Sequence, residues 1–231
     1  DNPTANGSIL FSSIWGGLYW GTGLVGNAPE LDLLGSLTMS VWLKTTSNDS
    51  NRCIVSKPYD ATAPSYGLYL LPGGHVRAKA TFLDTNLSLA SVPTITINDG
   101  NWHHVVLVVD TTEKVMYLYV DGALSNYGHS RRINGILQNS SQGLHFGYDQ
   151  QISGSSDFDG MVDEVAIYDR PLSSMEVLSL YSCPPDVNST GLVGYWDMEE
   201  GTGNTFSDLT TNGNDGNMIS VGWSVDAPSF S

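Results

Sequence analysis

Between Leu37 and Lys44 every second residue is apolar: Leu37, Met39, Val41 and Leu43 alternate with Thr38, Ser40, Trp42 and Lys44. A period of two sends one set to one face of a strand and the other set to the opposite face. A strand that buries one face this way needs a second layer stacked against it. Similar short segments occur at 8–12, 52–56, 66–71, 75–82, 86–91, 103–110, 115–121, 143–147 and 159–168. Pro72-Gly-Gly74, Asn98-Asp-Gly100 and Asp121-Gly122 mark turns between them. The clearest hairpin is 103–120, where two apolar runs flank Thr111-Thr-Glu-Lys114. About a dozen strands exceed what an immunoglobulin domain needs and suit a jelly roll. The expected fold class is therefore all-β: an antiparallel two-sheet sandwich with one short helix.

That helix falls in Pro171–Tyr181. Ser173 stands at N-cap and Glu176 three residues later, a capping box, with Leu172 and Val177 at the staple positions. Two to three turns make it a lid at the end of the sandwich.

The chain carries 9 Lys+Arg against 24 Asp+Glu, a net charge of −15. That balance argues against a nucleic-acid partner and agrees with calcium or a neutral glycan. No apolar run reaches the length needed to span a membrane. The start at Asp1, without a signal-peptide pattern, reads as a mature form or an excised module. Two cysteines, Cys53 and Cys183, are too few for a disulfide scaffold; they either bridge each other or do not. His103 and His104 are adjacent in a strand, point to opposite faces, and so read as structural.

The chain has 6 Trp, 11 Tyr and 6 Phe. A sugar offers apolar C–H faces, so an exposed flat ring beside polar groups is what binding one requires. Trp15 and Trp20 lie among glycines, Tyr59, Asp60 and Tyr66 around a Pro/Ala/Thr loop, and Tyr127 and Tyr148 near turns. These are the candidate ligand-binding residues, with Tyr59, Asp60 and Tyr66 preferred because their loop reads as exposed. For each ring taken singly, the alternative is plain core packing.

Two segments resemble a known family. Asp99-Gly-Asn-Trp-His-His-Val-Val106, then Tyr117-Leu-Tyr-Val-Asp-Gly122, is similar to the central signature of laminin-G-like jelly-roll domains. Phe158-Asp-Gly-Met-Val-Asp-Glu-Val-Ala-Ile-Tyr168, with Arg170-Pro-Leu-Ser173 and Glu176, resembles their closing strand and helix. The likeness covers about 7–182 and implies a concanavalin A-like sandwich, as in lectins and pentraxins. Residues 1–182 then form the laminin-G-like domain. Residues 183–231 hold a linker and a strand/loop segment: Gly191-Leu-Val-Gly-Tyr-Trp196 and its acidic loops look like a family opening placed at the end. Either this tail docks on the same sandwich or it begins a truncated repeat.

The resemblance also implies a structural calcium. Asp163 sits among apolar residues, where an acid is costly unless paired or metal-bound. Glu199, Glu200, Asp208, Asn212 and Asp215 offer further hard oxygens. The alternative is that Asp163 accepts hydrogen bonds with no metal. The expected function is a non-catalytic carbohydrate-binding, lectin-like module of a secreted or cell-surface protein, with a glycan or polysaccharide as partner. One alternative is an adhesion module binding protein partners. Another is a polysaccharide-degrading enzyme using Asp157, Asp159, Asp163 or Glu164.

Overall fold

In this computed structural model the described residues are 7–11, 21–49, 52–58, 64–83, 85–131, 133, 136–139, 141–148 and 157–230. The strands in chain order begin with β1 (Ser8–Phe11), β2 (Thr22–Val25), β3 (Leu37–Lys44), β4 (Arg52–Pro58), β5 (Pro64–Leu71), β6 (His75–Phe82) and β7 (Thr85–Ala90). Next come β8 (Trp102–Asp110), β9 (Val115–Val120), β10 (Ala123–His129), β11 (Leu144–Phe146) and β12 (Gly160–Tyr168). Helix α1 (Ser174–Ser182) follows, then β13 (Leu192–Trp196), β14 (Thr205–Phe206), β15 (Gly216–Ile219) and β16 (Gly222–Ser224).

The strands form two antiparallel sheets. The first runs β10-β9-β8-β3-β12-β1-β16, with β13 also on β12; the second runs β14-β15-β2-β11-β4-β5-β6-β7. Leu37, Met39, Val41 and Leu43 of β3 are wholly buried between the sheets, against Leu68, Leu70, Val76 and Ala78 from the second. The strand alternation therefore sets the inner face as the periodicity requires. Two strands lack the apolar pattern that would announce them. β2 reads TGLV, and β10 reads ALSNYGH; each is held by its neighbours' ladders.

The outward face of the first sheet is also covered. Val106, Val108, Tyr119, Ala166 and Tyr168 pack with Leu172, Val177 and Leu180 in a second apolar cluster. Helix α1 thus lies on a sheet face, not at the end of the sandwich, because that face is itself apolar. Its start is the capping box: Ser173 Oγ accepts from the Glu176 N–H (3.3 Å), and Glu176 Oε2 accepts from the Ser173 N–H (2.8 Å).

The last residues enter both sheets. β13 pairs with Val165–Tyr168, β16 with β1, and β15 with β2. Trp196 is fully buried, edge-on to Phe146. Asp226 accepts from Lys44 Nζ (2.6 Å) and Trp102 Nε1 (2.8 Å), and Phe230 meets the face of Trp42 at 5.7 Å. Cys53 is buried in β4, and Cys183 is exposed.

Candidate functional site

Trp15, Trp20, Tyr59 and Asp60 lie outside the described residues. Tyr66 is placed, and it corrects the expectation of an exposed loop ring. It lies in β5 with its side chain wholly buried, and its hydroxyl donates to the Leu31 carbonyl at 2.8 Å. Burial pushes its phenol above the ordinary range, with Asp32 adding to the rise. It is a core residue because its register partner Ala80 also faces inward. Tyr148 is half-buried just beyond β11.

Tyr127 is different. It points outward from β10, the end strand of the first sheet, and is 55% exposed. Its register partner is Tyr117 of β9, whose ring centroid is 6.3 Å away. His129 meets the Tyr127 ring edge-on at 5.7 Å, and Tyr119 continues the row 6.3 Å beyond Tyr117. Cross-strand pairing thus builds an aromatic strip from positions that are ten residues apart. Chemically this is an apolar surface with phenol and imidazole hydrogen-bonding groups at its margin.

A second feature is an acidic cluster on β12. β1 pairs with this strand only as far as Val162, and β13 begins at Val165. Asp163 and Glu164 fall in the gap between them. On the opposite edge the register to β3 shifts between Asp163 and Ala166, and Glu164 adopts φ +50°. This is a β-bulge, which re-aims side chains that a regular strand would bury or expose alternately. Asp163 is 1% exposed and accepts from the Glu164 N–H at 2.8 Å; Glu164, 8% exposed, accepts from the Tyr195 hydroxyl.

The loop leaving β13 brings in more acids. Glu199 Oε1 accepts from the Gly7 N–H (3.2 Å), and Glu200 Oε1 accepts from the Ser207 N–H (2.6 Å). The other oxygen of Glu200, Oε2, is buried and has no hydrogen-bond partner among the described residues. Burial, then the Glu164 charge, holds Asp163 well above the usual carboxylate range. Burial pushes Glu164 up to about 7 despite the opposing Tyr195 bond. Burial likewise raises Asp197 and Glu199. No Lys or Arg ion pair reaches these acids among the described residues.

The expected ligand set divides here. Asp163 and Glu199 belong to one neighbourhood of hard oxygen donors, the kind calcium takes, and Glu200 lies beside Glu199. Among the described residues, however, no three His, Cys, Asp or Glu side chains converge as a metal site. Asp208 is engaged otherwise: it accepts from the backbone N–H groups of Tyr195 (3.1 Å), Thr210 (2.9 Å) and Asn214 (2.9 Å). Three donors account for its burial without a metal. Asp215 accepts from the Asp208 N–H, and Asn212 Nδ2 donates to the Val193 carbonyl. These three residues shape the loop after β14. Periodicity gave no sign of Glu164 and Asp197 as partners of Asp163, because a bulge and a strand gap bring them together.

The two histidines separate by face. His103 lies between Asp99 (3.0 Å) and Asp121 (2.9 Å), whose hydrogen bonds raise its pKa. His104 is buried beside Trp42 and Tyr181.

With this geometry in hand, comparison with known proteins is direct. A family described as the concanavalin A-like lectin/glucanases superfamily, of laminin-G type, matches residues 22–178. The chain belongs to that family. Among curated proteins it is 25% identical to human neuronal pentraxin-1 over 170 residues, covering 69% of this chain and 37% of the relative. It is 24% identical to the rat sushi, von Willebrand factor type A, EGF and pentraxin domain-containing protein 1, covering 72% of this chain and 5% of that protein. The chain therefore spans well under half the length of these relatives.

Among solved structures, a candidate carbohydrate binding protein from Bacteroides ovatus superposes with a TM-score of 0.75 at 17% identity, covering 99% of this chain and 62% of that one. A heptameric SAP-like pentraxin from Limulus polyphemus gives 0.61 at 16% identity, covering 95% of each chain. The CBM40 module of Ruminococcus gnavus IT-sialidase, bound to α2,3-sialyllactose, gives 0.58 at 19% identity, covering 75% of this chain and 96% of that one. These likenesses establish the jelly-roll fold.

Proposed function

We propose that this chain is a non-catalytic carbohydrate-binding module of an extracellular or cell-surface protein, with its C-terminal strands forming one unit with the family-matched region. The observation that carries this reading is the exposed ring of Tyr127, set beside Tyr117 and His129 on a rigid hairpin. Stacking needs a ring fixed before the sugar arrives, and a paired strand supplies that. The carbohydrate-binding neighbours support the class of ligand. Catalysis is not part of the reading. Asp163 and Glu164 are buried, and a glycosidase must bring both carboxylates to the scissile bond. The test is retention on a glycan array and on polysaccharide gels. Tyr127→Ala is expected to weaken retention about tenfold without lowering the melting temperature. A wild-type protein that retains no glycan sinks the reading.

A calcium ion is part of the proposal. Asp163 and Glu199 would give it oxygens, and its charge would offset the burial and the like-charged neighbours that hold both carboxyls up. Calcium is expected to raise the melting temperature of the wild type relative to EDTA, and not that of Asp163→Asn. Equal melting temperatures for the wild type with and without calcium overturn the metal assignment.

A second reading, an adhesion module that binds protein, has one observation in its favour. Leu34, Leu83 and Ile136 are 58%, 61% and 51% exposed. They sit together because the Leu83 N–H donates to the Ile136 carbonyl and the Leu137 N–H to the Leu34 carbonyl. Leu83→Glu is expected to abolish any self-association seen by sedimentation; a monomer at all concentrations counts against this reading as self-assembly.

A further inference from the structure

Strands β9 and β10 read VMYLYV and ALSNYGH and hold no Asp, Glu, Lys or Arg. In a chain with 24 acids this hairpin is an uncharged ribbon. The flanking Lys114 and Asp121 stand in the turns at the two ends of β9.

Register sets the outward face of the ribbon. Tyr127 is opposite Tyr117, and Leu124 is opposite Tyr119. Residues paired across strands share a face, so Leu124 and Tyr127 lie on the same side. A regular strand would send residues three apart to opposite sides; the bulge between Leu124 and Asn126 brings them together. Leu124 is 49% exposed. The apolar line continues past it. Gly122, at φ +73° in the β9–β10 turn, leaves room for α1, since a Cβ there would stand 3.0 Å from Leu178 Cδ1. Leu178 is 52% exposed and lies on the far side of Leu124 from Tyr127. From His129 through Tyr127 to Leu124 the face runs about 15 Å at the rise of a strand, before Leu178 is added.

Two features narrow what this face can hold. It is a line of repeated apolar contacts, and a sugar at a chain end would meet only one of them. Its rings are also tilted in succession, by 35° from Tyr127 to Tyr117 and by 41° from Tyr117 to Tyr119. Strand twist produces such a tilt. A flat crystalline surface needs coplanar rings, whereas a single polysaccharide chain turns from one sugar to the next.

We propose that the β9–β10 ribbon and Leu178 bind the interior of an uncharged, linear polysaccharide chain, with Tyr127 and Tyr117 under its sugar rings and Leu124 and Leu178 extending the apolar contact. The proposal rests on the carbohydrate-binding reading and names the ligand class. Each contact is weak alone, and contacts along one chain add because the first holds the next in place. A net charge of −15 repels acidic polymers, and the ribbon offers them no cation.

The test is calorimetric titration of the full chain with di-, tetra- and hexasaccharides of β-1,4-glucan, β-1,4-mannan and β-1,4-xylan, with lactose as a short probe and microcrystalline cellulose as a flat one. Affinity for at least one series is expected to rise about tenfold from disaccharide to hexasaccharide. Leu124→Thr/Leu178→Gln is expected to keep the disaccharide affinity and lose the gain with length. Tyr127→Ala is expected to weaken every length. Matching far-ultraviolet spectra and melting temperatures show that the variants fold, and the wild-type series decides without them.

Affinity that stays level from disaccharide to hexasaccharide overturns the proposal. So does a gain with length that survives in Leu124→Thr/Leu178→Gln, or retention on microcrystalline cellulose without binding of soluble chains. A dimer in sedimentation that Leu178→Gln dissolves assigns the strip to a second copy and also removes the proposal. Tyr127-dependent binding of lactose or a disaccharide, with no gain from length, leaves the carbohydrate-binding reading standing and removes this one. Failure to bind any glycan removes both.

Discussion

Acid should act on this protein through His104. Its side chain is 1% exposed, with Nε2 2.7 Å from Ser40 Oγ and the rings of Trp42 and Tyr181 at 5.2 and 6.0 Å. Nδ1 is buried with no hydrogen-bond partner among the described residues. Burial lowers the imidazole from 6.5 to about 4, against an opposing pull from Asp121. The folded state thus holds His104 neutral and binds fewer protons than the unfolded chain between these values. Its contribution is complete above pH 6.5 and is lost as the pH falls towards 4. At 1.36 kcal/mol per pH unit the loss is about 3 kcal/mol.

Other groups act in the opposite sense. His103, raised by its carboxylate partners, contributes stability at low pH that disappears as pH rises through its folded pKa. Glu164, held up to about 7, is also favoured by acid in the window below that value. The informative quantity is therefore a difference. His104→Phe keeps a flat ring against Trp42 and cannot titrate. Urea unfolding between pH 7.5 and pH 4 is expected to show the wild type losing about 3 kcal/mol relative to His104→Phe. Proton NMR is expected to find one imidazole titrating near 4 and His103 titrating above 6.5. A constant difference across the range, or a His104 resonance titrating at 6.5, refutes the burial reasoning.

Three further outcomes follow from the packing. Ser173→Ala removes the capping box of α1 and is expected to cost about 1 kcal/mol in urea unfolding, with an unchanged stability counting against the cap. Gly147 adopts φ +76°, and a Cβ there would stand 2.2 Å from the Phe11 ring. Gly147→Ala should therefore lose about 2 kcal/mol or more, and a normal melting curve would show that Phe11 can move aside. Removing 184–231 takes β13, β15 and β16 from the edges of β12, β2 and β1. The remainder is expected to melt at least about 10 °C lower, and an unchanged melting temperature would mean that those pairings contribute nothing.

The strand alternation of 37–44, the hairpin at 103–120 and the capping box at Ser173 are written locally, and each stands in the structure where its pattern places it. Such features depend on near neighbours: a side-chain period, a four-residue turn, a serine three positions before a glutamate. Exposure is another matter. Tyr66 and Tyr127 read alike in the sequence as rings near turns, yet register with Ala80 buries the first and an end-strand position exposes the second. Lys79 resembles any surface lysine until β5 places Tyr69 beneath it.

The acidic cluster makes the same point. Asp163 stands out along the chain as an acid in an apolar strand, but nothing local says that the Glu199 and Asp197 charges will lie near it, or that Tyr195 will bond the adjacent Glu164. Those contacts exist because β1 and β13 divide one edge of β12 and leave a gap. What this sequence determines alone is which face of each strand turns inward, since the pleat ties that choice to adjacent residues. Which rings, acids and cations become neighbours was decided by strand order and register, because a sheet joins residues through pairings that no local pattern encodes.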